Sequence, residues 1–299
     1  MYEEVLEILP SSRVRFNEPM CQHTSFKIGG PCDVMILPES ADDIKKVLAW
    51  AQDKKIPVFI LGLGSNILVR DKGIRGIVIK LGNCLNQIEV DNDEIYAEAG
   101  VRLSLLAKKA AASSLSGLEF AEGIPGSLGG AIFMNAGAYG GEIKDVIKEV
   151  YAVDEKGDFK TFYTADLKWG YRYSIFQENG HIILGARLKL KKGNRDEIIA
   201  CMQELGKRRR EKQPLDFPSA GSIFKRPEGY YVGPMLEKLG LKGYRIGGAE
   251  VSFKHAGFIV NTGGATCEDV LQLIDYIKAQ VKAAYNLDLE VEVKIVGEK

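Results

Sequence analysis

The stretch "PVFILGLGSNILVRDKG", residues 57 to 73, restricts the fold more than any other part of the chain. Strand-forming residues run straight into glycines at 62 and 64, and such a loop frees main-chain N–H groups to converge on an anion. In a dinucleotide-binding fold of the Rossmann kind, a third glycine and an amphipathic helix follow, and the helix N-terminus takes the phosphate. Here "ILVRDKGIRGIVIKL" follows instead, alternating and β-branched, which predicts one or two further strands. A glycine loop between strands excludes that helix-based phosphate site. It leaves two readings, a ligand-holding loop or a tight turn.

The flanks define the setting. "SADDIKKVLAWAQ" predicts a helix, with Ser40 as cap, carboxylates in the first turn and Ile44, Val47, Leu48 and Ala51 on one face. With strand-like "GPCDVMILPE" before it and "PVFILG" after it, residues 29 to 61 read as a βαβ unit. A second alternation starts at "EIYAEAG" and continues into a helix over "RLSLLAKKAAASSLSG", closed by Gly117. Then comes "GIPGSLGGAIFMNAGAYGGE", residues 123 to 142, with seven glycines and a single charge at Glu142. Neither the helical nor the strand period fits it, which predicts ordered loop and short helix. A loop this long and apolar is commonly functional, and a series of tight turns is the alternative.

Residues 146 to 190 read as β, with a hairpin turn at Glu155 to Asp158. Composition shifts near Gly193–Asn194, the expected domain boundary, and a helix over "RDEIIACMQELGKRRREKQ" stops before Pro214. Thr266 caps another helix whose buried stripe is Val270, Leu273, Ile274, Ile277 and Val281. The final "LDLEVEVKIVG" reads as a period-two strand, with Leu289, Val291, Val293 and Ile295 on one face and Glu290, Glu292 and Lys294 on the other.

Composition narrows the function. The 299 residues carry 40 basic and 40 acidic side chains, so the net field favours neither nucleic acid nor a membrane surface. Five scattered cysteines without a CxxC pair, and only three histidines, argue for reduced thiols in a cytoplasmic protein and against a metal centre. The acidic, amphipathic N-terminus lacks the basic and apolar regions expected of a signal peptide. No stretch approaches eighteen consecutive apolar residues.

Two glycine loops, each leaving an α/β unit, can surround one extended phosphate ligand. Ser65 and Asn66 add neutral donors, and residues 62 to 69 contain no basic side chain. That suits a diphosphate buried with its cofactor better than a nucleoside triphosphate with magnesium. Arg172, among Trp169, Tyr171, Tyr173 and Phe176, reads either as a fixed cation for developing charge or as an arginine stacked on aromatic rings. Ser222 beside Gly221 is a weak acid or a turn serine. "KRRREKQP" (207–214) is a solvated helix end or an anion-binding run for RNA or a pyrophosphate.

Seven segments occur together and in order: "HTSFKIGG" (23–30), "LGLGSN" (61–66), "GIPGSLGGAIFMNAGAYGGE" (123–142), "YRYS" (171–174), "SAGSIFKRP" (219–227), "GGAEVSFKHAGFIVN" (247–261) and "LEVEVKIVG" (289–297). This series resembles the UDP-N-acetylenolpyruvoylglucosamine reductase family over residues 20 to 297. The resemblance implies an α+β fold: a two-part FAD-binding domain of the vanillyl-alcohol-oxidase type, then an α/β substrate-binding domain. The implied layout is an N-terminal helical segment at 1–20, the FAD domain at 21–193 (subdomains at about 21–85 and 86–193) and the substrate domain at 194–299.

The implied activity reduces UDP-N-acetylglucosamine enolpyruvate to UDP-N-acetylmuramate for peptidoglycan synthesis, with NADPH as reductant and non-covalent FAD between them. Arg172, Ser222 and Glu292 would be catalytic, as charge stabiliser, proton donor and orienting carboxylate. FAD would lie on Gly62, Gly64, Ser65 and Asn66, and on Gly123, Pro125, Gly126, Ser127 and Gly130. Asn135, Ala136 and Gly137 would complete that set. Lys212, Lys225, Arg226 and Lys242 would contact the substrate, although many relatives have asparagine where Arg226 stands. Only nineteen residues separate Ser222 from Lys242, which matches the branch without an extra substrate-covering loop. His23 and His255 are expected to be structural or flavin-side hydrogen bonders. The rival readings are an oxidase of the same flavin fold and a non-catalytic nucleotide- or RNA-binding protein.

Overall fold

The computed structural model describes residues 2–82 and 84–299. The chain begins with short 3-10 turns at Tyr2–Glu7 and Ser11–Arg13, followed by the strand Val14–Pro19. The expected helical segment therefore ends early. Pro10 carries no N–H to extend a helix, and the residues after it alternate as a strand. Val14–Pro19, Pro31–Ile36, Ile74–Lys80 and Val58–Leu61 form a four-stranded sheet in that order, the last two parallel. The βαβ reading holds with one addition: the strand Ile74–Lys80 inserts between the two it was expected to join.

Helix α1 (Ala41–Asp53) forms where expected. Ser40 Oγ accepts from the Asp43 N–H at 3.1 Å, and Asp43 Oδ2 accepts from the Ser40 N–H at 3.2 Å, a reciprocal cap. Helix α2 (Leu103–Ala112) stops five residues before Gly117, because Ser114 already takes the left-handed conformation at φ 55°. Helix α3 (Leu128–Met134) is the short helix of the long glycine stretch, capped by Ser127 and ended by Asn135 at φ 42°. A five-stranded antiparallel sheet follows the order Phe159–Tyr163, Ile147–Val153, Ile182–Lys189, Glu94–Glu98, Ile88–Asp91.

The chain divides into two compact units, and neither is a continuous segment. The first comprises Met1–Phe16, Val34–Leu63 and Gly76–Arg209; the second comprises Asn17–Asp33, Gly64–Arg75 and Arg210–Lys299. The boundary expected at 193/194 thus falls sixteen residues later. Helix α4 (Arg195–Lys212) buries Ile198 and Met202 in the first unit's core, alongside Ile95, Leu106 and Leu188.

The second unit has its own core. Helix α5 (Val232–Lys238) and helix α6 (Cys267–Tyr285) pack with a four-stranded antiparallel sheet of Ser219–Ser222, Phe258–Asn261, Ala249–Val251 and Arg245–Ile246. Thr266 caps α6, and Val270, Leu273, Ile274, Ile277 and Val281 are all buried. Each such side chain contributes about 2 kcal/mol of burial. Phe26, Ile28 and Leu68 lie in this core, so two early segments join the C-terminal third of the chain.

The terminal strand is shorter than its alternation suggests. Only Lys294–Val296 is a strand, parallel to Ile67–Val69, while residues 289 to 292 run beside Ser222–Lys225. The backbone bends at Val293, so one alternating sequence serves two partners.

Candidate active site

In the first unit, Arg172 sits at the third position of a tight turn. Gly170 and Tyr173 exchange main-chain hydrogen bonds at 3.1 and 3.2 Å, and Arg172 is held at φ 55°. A non-glycine residue in that region is strained, so the surroundings must hold it. Asn135, fully buried, supplies one grip: its Nδ2 donates to Gly170 O at 2.9 Å and to Glu142 Oε2 at 3.1 Å. Its Oδ1 accepts from the Lys144 N–H at 3.2 Å. Gln177 Nε2 donates to Arg172 O and to Phe133 O, both at 2.9 Å, and buried Ser174 donates to Phe133 O at 2.9 Å. The guanidinium, half-buried, donates from Nη2 to Gly137 O at 3.1 Å and lies 5.0 Å from the Tyr171 ring. The guanidinium thus lies against an aromatic ring, as the stacking reading expects.

Asn135 was expected to bind the cofactor. Its side chain instead spends both amide donors and its carbonyl on the unit's own loops, where a buried amide left unpaired is costly. Nothing in its sequence spacing signals that role.

The same unit carries the candidate cofactor cradle. Gly62 lies against Ser127: a Cβ at Gly62 would come within 2.6 Å of Ser127 Oγ, so the start of the first glycine loop touches the cap of α3 in the second. Gly123, Pro125 and Gly130 present exposed main chain. Next to Gly123 lies Arg209, only 6 % exposed, whose Nε and Nη2 have no hydrogen-bond partner. A backbone cradle with a buried orphan guanidinium fits an anionic cofactor.

In the second unit, the motif ends meet through main-chain bonds. The Glu292 N–H donates to Ile223 O at 2.8 Å, and the Lys225 N–H donates to Glu290 O at 2.9 Å. This short ladder sets Ser222 and Glu292 at neighbouring positions, although 69 residues separate them in sequence. Ser222 follows Gly221, which is at φ 79°, in a strand whose register slips between Ser219 and Ser222. Its Oγ donates to Phe224 O at 3.1 Å.

The first glycine loop's remaining residues belong to this ladder. Gly64 takes φ 66°, and a Cβ there would come within 2.1 Å of His23 O. Asn66 Nδ2 donates to Glu292 O at 3.4 Å, and the Lys294 N–H donates to Asn66 O at 3.0 Å. Ser25 of "HTSFKIGG" ties the same parts together, donating its N–H to Gly64 O at 3.0 Å and its hydroxyl to Ser219 O at 2.6 Å.

Glu290 and Glu292 differ as their positions suggest. Glu290 is exposed and pairs with Lys225 at 2.5 Å; Glu292 is half-buried. Burial pushes the nearby Lys294 ammonium below its ordinary lysine value, and the positive charge of Lys225 adds to this.

The other expected substrate contacts are engaged locally. Lys242 pairs with Glu237 at 2.6 Å, and the Arg226 guanidinium lies 3.8 Å from the Tyr231 ring centre. Lys212 is exposed at the end of α4. In the basic run, Arg208 pairs with Glu204 at 2.7 Å while Arg209 turns inward. His23 is paired with Glu18 at 2.7 Å. His255 is half-buried, and that desolvation lowers its pKa; its Nδ1 accepts from the Gly257 N–H. Among the described residues, no group of three or more His, Cys, Asp or Glu could hold a metal, and no helix is long and apolar enough to cross a membrane.

Comparison with known proteins assigns both units. Residues 32–163 match the family model of the FAD binding domain. Residues 213–296 match that of the UDP-N-acetylenolpyruvoylglucosamine reductase C-terminal domain. A grass-pollen glucose oxidase variant shares the fold over 64 % of this chain and 44 % of its own, at 14 % identity and TM-score 0.51. The class is that of FAD-binding oxidoreductases with an added C-terminal domain.

Relatives narrow it. UDP-N-acetylenolpyruvoylglucosamine reductase of Syntrophomonas wolfei is 58 % identical over the full length of both chains. That of Caldanaerobacter subterraneus is 54 % identical over 100 % of this chain and 99 % of its own. The crystal structure of the reductase from Thermus caldophilus superposes with TM-score 0.81 at 34 % identity, covering 93 % of this chain and 97 % of that one. The chain belongs to the UDP-N-acetylenolpyruvoylglucosamine reductase family.

Proposed function

We infer that this chain reduces the enolpyruvyl group of UDP-N-acetylglucosamine enolpyruvate, in the cytoplasm, for peptidoglycan precursor synthesis. FAD, when bound, supplies a two-electron carrier that takes hydride from NADPH and gives it to the substrate double bond. The main chain of 62–66 and of 123–137 would hold it. The carbon adjacent to the carboxylate then bears developing negative charge and needs a proton.

Arg172 binds the enolpyruvyl carboxylate and stabilises that charge, since its guanidinium stays ionised and forks onto two oxygens. Ser222 Oγ donates the proton to carbon. A serine hydroxyl is a very weak acid, and a carbanion-like centre is basic enough to take its proton. Glu292 orients the hydroxyl and assists its re-protonation. Lys212, Lys225, Arg226 and Lys242 offer cations to the nucleotide's diphosphate. For Lys225 and Lys242 this requires exchanging the pairs with Glu290 and Glu237.

The observation that supports this reading is the main-chain ladder joining Ile223 to Glu292, which makes the "SAGS" strand and the "LEVEV" segment neighbours in the fold. Neither glycine loop contains His or Cys, so the flavin is expected to be non-covalent. The test is spectroscopic and kinetic. The purified protein should be yellow, release its flavin on acid precipitation, and turn over NADPH continuously only when the enolpyruvyl sugar nucleotide is present. A protein that refuses FAD, or that turns over with oxygen and a simple sugar, overturns it.

A further inference from the structure

The glycine loop at 62–69 carries no basic side chain, and α3, with seven residues, is too short to act as an anion-binding dipole. FAD nevertheless brings two phosphate charges and, once reduced, charge on its ring. Neutral donors alone would have to balance both.

Arg209 stands where that balance is missing. It belongs to the inward stripe of α4, with Ile198, Met202 and Gly206. A Cβ placed on Gly123, where the second glycine loop begins, would be 3.0 Å from Arg209 Cδ and 3.3 Å from its Nε. The Tyr139 ring, from the same loop, lies 5.6 Å from the guanidinium carbon. Neither Nε nor Nη2 has a hydrogen-bond partner, and Glu122 Oε2 is likewise buried and unpartnered. Burial lowers the Arg209 pKa despite the negative charge of Glu122. Arginine resists deprotonation, so the group persists as a buried cation with idle donors, an unfavourable state until an anion meets it.

We propose that Arg209 is the cationic contact for the anionic oxygens of the bound flavin nucleotide, reached through the glycine stretch at 123–126. This rests on the reading of 123–137 as the FAD cradle. Two oxygen sources share the chemistry, the diphosphate and the reduced ring.

The experiment uses purified apoprotein, freed of flavin, with Arg209→Met, Arg209→Lys and the neighbouring surface variant Arg208→Met. FAD and riboflavin affinities are measured by flavin fluorescence, together with the midpoint potential of bound FAD and the melting temperature of each apoprotein. Arg209→Met should bind FAD at least tenfold more weakly or bind reduced FAD at least tenfold less tightly relative to oxidised FAD. The first result, with riboflavin unaffected, assigns the diphosphate; the second, seen as a lower potential, assigns the ring. Arg209→Lys should retain part of the effect, and Arg208→Met should match the parent.

The apoprotein of Arg209→Met should melt no lower than the parent, because an unpartnered buried charge has been removed. A purely structural arginine would lower that melting temperature and leave both flavin readouts unchanged, and this outcome overturns the proposal. If the parent protein itself bound no FAD, the cradle reading would fail instead.

Discussion

The turn that carries Arg172 and the ladder that carries Ser222 and Glu292 are built in opposite ways. Arg172 is held by side chains: the buried amide of Asn135, the amide of Gln177 and the hydroxyl of Ser174 all grip main-chain carbonyls around it. Ser222 and Glu292 are held by the main chain itself, through the Glu292–Ile223 and Lys225–Glu290 bonds. A side-chain substitution at the ladder should therefore remove chemistry and leave position intact. At the turn, a substitution that touches no ligand should move the cation.

The largest effect should come from Ser222→Ala. Its Oγ makes one local bond, to Phe224 O, so the fold should survive. Flavin reduction by NADPH should remain near normal, while reoxidation of the reduced enzyme by substrate slows by roughly 10³-fold, within the range for a positioned proton donor. Stopped-flow absorbance separates the half-reactions. Equal slowing of both would make the serine a packing residue and cancel the contrast.

Glu292→Gln should slow the same reoxidation by roughly 10²-fold, because shape is kept and the ionisable group is lost. Its main-chain bonds to Ile223 and Asn66 do not involve the carboxylate, so the melting temperature should hold.

Asn135→Ala tests the other construction. It strips partners from Gly170 O and the Lys144 N–H and places alanine at φ 42°. Gly170 O keeps the Tyr173 N–H while the Lys144 N–H loses its partner, a loss of about 1–3 kcal/mol that denaturant unfolding would read directly. Substrate KM should rise more than kcat falls if Arg172 is displaced. Unchanged kinetics in a destabilised protein would show that the turn survives without its amide.

Glu290→Gln should change reoxidation by no more than about twofold, since the carboxylate is exposed and its pair with Lys225 is of the kind worth ~1 kcal/mol or less. A severe defect here beside a near-normal Glu292→Gln would shift the catalytic carboxylate by two residues.

Much of this was legible in the chain. The caps at Ser40 and Thr266, the α6 stripe and the hairpin at 155–158 are local signals, set by residues within one or two turns of each other. Resemblance to the family's motifs pointed to Arg172, Ser222 and Glu292 as the proposed catalytic residues. The boundary at 193/194 and the unbroken terminal strand were misread, and the structural use of the Asn135 side chain was missed, each for a long-range reason. Helix α4 follows the core it packs on, residues 289–296 serve two different neighbours, and a buried amide is defined by the loops that converge on it.

Local propensity and motif order thus determined many of the elements and the family, because these depend on residues near in sequence. Tertiary structure alone decided that Asn17–Asp33 and Gly64–Arg75 join the C-terminal unit, that Asn66 reaches the Glu292 carbonyl, and that one arginine of "KRRREK" turns inward. Burial and hydrogen-bond partnership are properties of the folded chain. An arginine in a basic run carries no mark of which face will be covered until the helix has docked.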